Sequence, residues 1–74
     1  MNKFYIVCIN WDKAKQEKPH TMERLKYVKL NAFNEGSDIS NYIQYYDKYN
    51  EGWRVYLFKT RKKAEQIFNI TMNK

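Results

Sequence analysis

The hydrophobic pattern begins with a near-continuous apolar run over residues 3–11, KFYIVCINW. A short run rich in β-branched and aromatic residues is typical of a strand buried on both faces, so we expect it at the centre of a sheet. Residues 12–21 are polar, contain the only proline and predict a long, mobile hairpin loop. Residues 22–33 alternate imperfectly between apolar and polar side chains, which predicts a second strand.

A helical period follows the turn at residues 34–38, NEGSD. Apolar side chains recur there at spacings of three and four, which predicts an amphipathic helix: Ile39, Tyr42, Ile43 and Tyr46. Ser37 or Asp38 can cap the start of this helix, because both side chains accept a hydrogen bond from a free backbone N–H. Gly52 can end the helix in the left-handed conformation.

A third strand is predicted at residues 53–59, followed at once by a second helix. The strand has two alternating faces, Trp53, Val55 and Leu57 on one and Arg54, Tyr56 and Phe58 on the other. Thr60 is the predicted N-cap of the helix. Apolar residues then recur at helical spacing, Ala64, Ile67 and Phe68, and residues 70–74 are expected to fray.

These elements predict one domain, residues 1–74, in the order β-β-α-β-α. If the first strand is as buried as its pattern indicates, the strand order is 2-1-3. A strand reached through a helix most naturally runs parallel to an earlier one by a crossover connection. We therefore expect an α+β fold, a small two-layer sandwich in which a three-stranded sheet carries both helices on one face.

Composition narrows the class of protein. The formal net charge is +6, which is typical of proteins that bind nucleic acids or acidic proteins. The single cysteine excludes an intramolecular disulfide and fits a reducing cytoplasm. The apolar run is too short to span a bilayer and no signal-peptide cleavage site follows it, so we expect no membrane association.

The chain offers few groups for catalysis. His20 lies in the polar loop, Cys8 lies within the apolar run, and the eight carboxylates are scattered without a recognisable spacing. Neither a cysteine cluster for zinc nor a glycine-rich phosphate loop is present. We therefore expect no enzymatic activity, no metal and no cofactor.

The densest positive charge lies in residues 52–66, GWRVYLFKTRKKAEQ. Five of these residues are cations, with no acid among them up to Ala64: Arg54, Lys59, Arg61, Lys62 and Lys63. Three of the five fall in the first turn of the predicted helix, where the helix dipole disfavours cations. Either an anion such as a phosphate occupies this turn or the charges are simply solvated, and the pattern alone leaves both interpretations open.

The second face of the predicted sheet is aromatic and basic. If the helices cover Val28, Leu30, Val55 and Leu57, the opposite face carries Arg54, Tyr56, Phe58, Tyr27 and Lys29. Such a face can stack unpaired bases while its cations hold phosphates. The alternatives are that these aromatic residues form a second core layer or the contact of a homodimer.

The tyrosines of the first predicted helix suggest a further contact. Tyr42 and Tyr46 lie on its apolar stripe, whereas Tyr45 and Tyr49 lie at the edge of that stripe. Tyrosine at such an edge is a common anchor in protein interfaces, so we take Tyr45 and Tyr49 as a candidate protein interface. The alternative is that both rings pack against the margin of the sheet.

Two functions compete. The first is a small basic protein that binds nucleic acid or a ribonucleoprotein complex through the strand–helix surface. The second is a phage-type accessory protein that inhibits a host enzyme or defence complex, in the manner of an anti-CRISPR protein, by docking on an acidic protein surface. Lys, Asn, Ile and Tyr, which have AT-rich codons, supply 32 of the 74 residues (11, 8, 6 and 7), so we expect a low-GC bacterial host or its phage.

Overall fold

The computed structural model of the protein describes residues 2–47 and 51–74. Among these residues, three strands and four helices follow one another: β1 (Lys3–Asn10), α1 (Trp11–Ala14), α2 (Met22–Leu25), β2 (Val28–Asn34), α3 (Ser40–Asp47), β3 (Trp53–Phe58) and α4 (Arg61–Asn73). The predicted α+β class is confirmed. None of these helices is both long enough and apolar enough to cross a membrane.

The sheet has the predicted strand order, β2-β1-β3, with β1 at its centre. β1 pairs antiparallel with both neighbours, so β2 and β3 run parallel to each other on either side of it. The chain therefore crosses from one edge of the sheet to the other through α3. The central position explains the apolar run, because Ile6 to Asn10 are all buried.

The predicted loop and the start of the second strand differ from the structure. Asn10 caps α1 by accepting a hydrogen bond from the N–H of Lys13, and Thr21 caps α2 by accepting one from Arg24. The second strand begins at Val28 rather than at residue 22. The imperfect alternation of residues 22–27 belongs to a helical turn and its exit, which a capping threonine stabilises.

One face of the sheet packs against α4. Val7 and Ile9 of β1 and Val28 of β2 form a buried cluster with Ala64 and Met72 of α4. Half-buried aromatic and aliphatic side chains surround this cluster: Tyr5, Trp11, Leu25, Tyr27, Leu30, Phe58, Ile67 and Phe68. This side is the main hydrophobic core of the protein.

The opposite face packs against α3, which corrects the expectation that both helices share one face. The Tyr42 ring meets the Phe33 ring at 5.3 Å, and the Tyr46 ring meets the Trp53 ring at 4.8 Å. The Cys8 thiol, on the same face, donates to the Tyr42 hydroxyl. Because β1 is apolar on both faces, each face needs its own helix, and the sheet lies between two helical layers.

The C-terminal helix continues to Asn73, which differs from the expected fraying of residues 70–74. Thr71 and Met72 are buried, and the N–H of His20 donates to the carbonyl oxygen of Met72. The His20 ring also hydrogen bonds to the side chain of Asn73. Contacts with a segment about fifty positions earlier in sequence hold the last turn in place.

The predicted Thr60 cap is confirmed, whereas Asp38 makes a hydrogen bond at the start of α3 without occupying the position directly before it. Thr60 accepts a hydrogen bond from the N–H of Lys63 and caps α4. Asp38 accepts from the N–H of Ser40 at the start of α3, which also lowers the pKa of its carboxyl group. Gly52 has a φ of 87°, but the end of the preceding helix lies outside the described residues.

Candidate nucleic-acid interface

The junction between β3 and α4 presents the predicted cations on the surface. β3 ends at Phe58, and the Thr60 cap starts α4 at Arg61, so the chain turns within two residues. The side chains of Lys59, Lys62 and Lys63 are exposed. No acidic residue lies in the first turn of α4. Helix capping thus places several cations next to the N–H groups of a helix start.

Arg61 is the one cation of this junction with an ion-pair partner among the described residues. Its Nε donates to Oε1 of Glu65 across 2.7 Å, one turn further along α4. This contact raises the pKa of the Arg61 guanidinium. The pair is exposed, so water screens it, and the other guanidinium nitrogens keep their donor capacity.

An open cleft of about 670 Å³ lies beside this junction, and we call it the basic cleft. It is lined by Asn2, Lys3, Phe4, Tyr5, Glu35, Leu57, Lys59 and Arg61. The antiparallel pairing brings the start of β1 next to the end of β3, since Tyr5 lies opposite Phe58. Lys3 therefore joins Lys59 and Arg61, although they are far apart in sequence.

Sequence reasoning missed Lys3, Tyr5 and Glu35 as parts of this site. Lys3 carried a weak signal, because it is the one charge in the first predicted strand. Lys3 reaches the cleft only because β1 pairs with β3, and the sequence pattern of one strand does not show with which strand it pairs. Glu35 follows β2 and donates its backbone N–H to the carbonyl oxygen of Asn2, which holds it at the same end of the sheet.

The predicted aromatic and basic sheet face is not assembled as one surface. Arg54 and Tyr56 are exposed on β3, whereas Phe58, on the same face, packs against the hydrophobic core. The guanidinium of Arg54 donates to the carbonyl oxygen of Trp53. α4 packs over β1 and β2 on this face and reaches Phe58 of β3, so Arg54 and Tyr56 remain exposed to solvent.

Tyr27 and Lys29 lie away from the basic cleft. Tyr27 precedes β2 and packs at the margin of the core, with the ammonium group of Lys13 at 5.9 Å from its ring centre. Lys29 pairs with Cys8 and therefore lies on the α3 face, opposite to Tyr56. The expected grouping fails because the strand register places Val28, and not Lys29, on the same face as Arg54.

The candidate tyrosine interface is described only in part. Tyr45 is 56% exposed, and its ring meets that of Tyr46 edge-on at 5.0 Å. Tyr49 lies outside the described residues. Tyr45 thus lies at the surface of α3, beyond the rings that face the sheet.

Cys8, the thiol of the chain, is buried in the centre of the sheet. Burial raises the pKa of the Cys8 thiol, against a smaller opposing effect of its contact with Tyr42. Burial likewise raises the pKa of the Tyr42 hydroxyl. Within residues 2–47 and 51–74, no three His, Cys, Asp or Glu side chains are grouped so that they could hold a metal ion.

Comparisons with protein-family models, with curated proteins and with solved structures each gave no significant match to this chain.

Proposed function

We propose that this protein binds nucleic acid, or a complex that contains nucleic acid, through the basic cleft and the adjoining first turn of α4. The convergence of three cations from two distant parts of the chain supports the proposal: Lys3, Lys59 and Arg61. Lys62 and Lys63 extend the positive charge along α4. Of the described residues, Glu35 is the only acid that lines the cleft.

The groups in the cleft match the chemistry of a phosphate backbone. Lysine ammonium groups and the guanidinium of Arg61 form charge-assisted hydrogen bonds with phosphate oxygens. Phe4 and Tyr5 also line the cleft, but the Phe4 ring stacks on the Phe33 ring and Tyr5 packs against the hydrophobic core, so the cations carry the proposed contacts. Lys59, Lys62 and Lys63 have no ion-pair partner among the described residues, so a phosphate would not have to displace a carboxylate from them.

Binding of this kind does not read base sequence. Contacts to phosphates position a nucleic acid, whereas contacts to base edges provide sequence specificity. We therefore expect similar affinities for unrelated sequences and a steep loss of affinity with salt. Each neutralised phosphate contributes roughly −0.7 (single strand) to −0.9 (duplex) to the slope of log K against log salt concentration.

A charge reversal on α4 tests the proposal. The double variant Lys62→Glu, Lys63→Glu should bind labelled single- and double-stranded DNA and RNA at least tenfold more weakly in fluorescence anisotropy, with a shallower salt slope. A matched double variant, Lys15→Glu, Lys18→Glu, changes two exposed lysines elsewhere. Both variants lower the net charge by four, from +6 to +2, so only a local site distinguishes them. Equal losses in the two variants, or no binding by the wild type, would reject the proposal.

The inhibitory accessory protein is the second proposed function, and exposed apolar side chains support it. Leu57 and Tyr45 are 61% and 56% exposed, and both offer apolar surface to a protein partner. Purification of the tagged protein from a host lysate, with and without nuclease, separates the two functions. A protein partner retained after nuclease favours the second function, whereas loss of all partners favours the first.

A further inference from the structure

β3 is an edge strand whose outer side has no neighbour among the described strands. The sheet order ends at β3, which pairs only with β1. An edge strand presents a row of backbone N–H and C=O groups that can pair with another strand. The helices cover β3 only in part, since Trp53 packs against Tyr46 of α3 and Phe58 packs against the core, whereas Tyr56 is 42% and Leu57 is 61% exposed.

Two hydrogen bonds reveal which residues of β3 direct their backbone groups outward. The N–H of Asn10 donates to the oxygen of Tyr27, and the N–H of Glu35 donates to the oxygen of Asn2. Even-numbered residues of β1 therefore bond to the β2 side. Because backbone groups alternate sides along a strand, odd-numbered residues of β1 bond to β3.

The same alternation then applies to β3. Tyr5, Val7 and Ile9 lie opposite Phe58, Tyr56 and Arg54, which therefore use their backbone groups within the sheet. The outward backbone groups belong to the three remaining residues of β3: Trp53, Val55 and Leu57. The open edge thus has three regularly spaced pairs of donors and acceptors, of which the Trp53 carbonyl oxygen already accepts one hydrogen bond from the Arg54 guanidinium.

The side chains along this edge do little to prevent pairing. Native edge strands are commonly protected by proline, by several charges or by a bulge. β3 contains no proline and a single charge, Arg54, and its pairing with β1 has no interruption. On β2, the opposite edge, the exposed residues are instead small or polar: Asn31, Ala32 and Asn34.

We propose that β3 pairs antiparallel with β3 of a second copy of this chain, around a two-fold axis at Val55. Two residues directly opposite each other in a sheet have their side chains on the same face. An axis between two consecutive residues would pair side chains from opposite faces, so the axis must lie at a residue. An axis at Val55 places Arg54 opposite Tyr56 of the second copy, a cation next to an exposed ring. It also places the exposed Leu57 opposite Trp53 of the second copy.

Other arrangements fit less well. An axis at Tyr56 would set Arg54 opposite Phe58 of the second copy, but that ring already packs against its own core. A parallel pair in register would place the two Arg54 side chains side by side, and like charges that are neighbours across strands are destabilising. The antiparallel pair centred on Val55 thus satisfies the backbone groups and separates the charges.

The dimer has one continuous sheet of six strands, three from each copy. The contact is isologous, so it closes after two copies and cannot propagate. It involves one strand edge from each copy, which is less than a standard interface of roughly 1,600 Å². We therefore expect a weak, concentration-dependent dimer. This inference does not rest on the proposed function, since Leu57 is the only residue shared by the β3 edge and the basic cleft.

Two proline variants test the pairing. Leu57→Pro removes an outward N–H of β3 but leaves the bonds between β1 and β3 in place, because proline is tolerated on the open side of an edge strand. Ala32→Pro is the matched control, since Ala32 is exposed and its N–H faces outward from β2 by the same alternation. Circular dichroism reports whether both variants fold.

Sedimentation equilibrium then measures the mass. The wild type and Ala32→Pro should rise from the monomer mass of 9.1 kDa towards twice that value with concentration. Leu57→Pro should stay monomeric, with at least a tenfold weaker dimerisation constant. A wild type that stays monomeric at millimolar concentration would overturn the proposal. So would a folded Leu57→Pro that dimerises like the wild type.

Hydrogen exchange on the unaltered protein provides a second test that needs no variant. The outward amides of Trp53, Val55 and Leu57 should exchange more slowly as concentration rises. The outward amide of Ala32 should exchange at an unchanged rate. If all four amides respond equally to concentration, or if none responds, the β3 edge is not the contact.

Discussion

The guanidinium of Arg24 donates a hydrogen bond to the carbonyl oxygen of Met72, 48 positions away in the sequence. Its Nε also donates to the carbonyl oxygen of Ala14. Arg24 is fully buried. Both acceptors lie in the last turn of a helix, α1 and α4, where backbone carbonyls lack helical partners and the helix dipole is negative. A buried cation is thus stabilised by two helix ends.

Replacement of Arg24 by methionine should lower the free energy of unfolding substantially. The change removes this donor from the carbonyl oxygens of Ala14 and Met72, which keep the backbone N–H donors of Glu17 and His20. Each lost hydrogen bond to a charged group contributes about 1.5–3 kcal/mol. We expect a loss of roughly 3 kcal/mol in urea denaturation, which is a large fraction of the stability of a small domain. Arg61→Met serves as the control, because the side chain of Arg61 is 75% exposed. Similar losses for the two variants would contradict this account of Arg24.

Replacement of Thr60 by alanine should destabilise the start of α4. The Thr60 hydroxyl accepts the hydrogen bond from the N–H of Lys63, and loss of an N-cap costs about 1 kcal/mol. Thr60→Ser keeps the acceptor and should retain most of the stability. Thermal denaturation of the three proteins measures the difference, and a Thr60→Ser variant as unstable as Thr60→Ala would argue against the cap.

The buried thiol of Cys8 should make stability depend on pH in the alkaline range. Burial raises the pKa of Cys8 above its ordinary value of 9.0, so the unfolded chain releases this proton at a lower pH than the folded chain. Its contribution to the free energy of unfolding is therefore fully present below pH 9.0 and is lost as the pH rises towards the folded-state pKa.

A Cys8→Ala variant isolates this effect. Between about pH 8 and 11, the free energy of unfolding of the wild type should fall more steeply than that of the variant, because only the wild type has the thiol. Urea denaturation at several pH values measures both slopes. Parallel slopes would mean that the thiol does not contribute.

Glu35 should weaken phosphate binding in the basic cleft, because its carboxylate is the only negative charge among the described residues that line the cleft. Glu35→Gln should increase the affinity for single-stranded nucleic acid several-fold, on the order of 0.5–1 kcal/mol. Glu23→Gln makes the same charge change on α2, at an exposed position that does not line the cleft. An equal gain in both variants would indicate an effect of net charge instead of a local site.

Local patterns predicted much of the fold. The apolar run of β1, the alternation of β3 and the spacing of apolar residues in α3 and α4 are all found close to their predicted positions. Each of these hydrophobic patterns is easy to recognise, because it lies within one strand or helix and reflects which side of that element is buried. The Thr60 cap was predictable for the same reason, since its hydrogen bond joins residues three positions apart.

Residues 12–27 were not predictable in this way. Their polar composition indicated a loop, but α1 and α2 form there and Arg24 becomes the largest fully buried side chain. Charged residues are rarely buried, so no scale based on composition would place an arginine in the core. Its burial depends on the ends of α1 and α4, which come together only in the folded protein.

The sequence by itself determined the α+β class, the central position of β1 and the positive charge at the start of α4. These features depend on local spacing, capping and composition. Only the tertiary structure decided that α3 and α4 cover opposite faces, that Lys29 lies away from Tyr56, and that Lys3 joins Lys59 and Arg61. The physical reason is that burial of both faces of β1 is a property of the whole chain, whereas each local pattern describes only one segment.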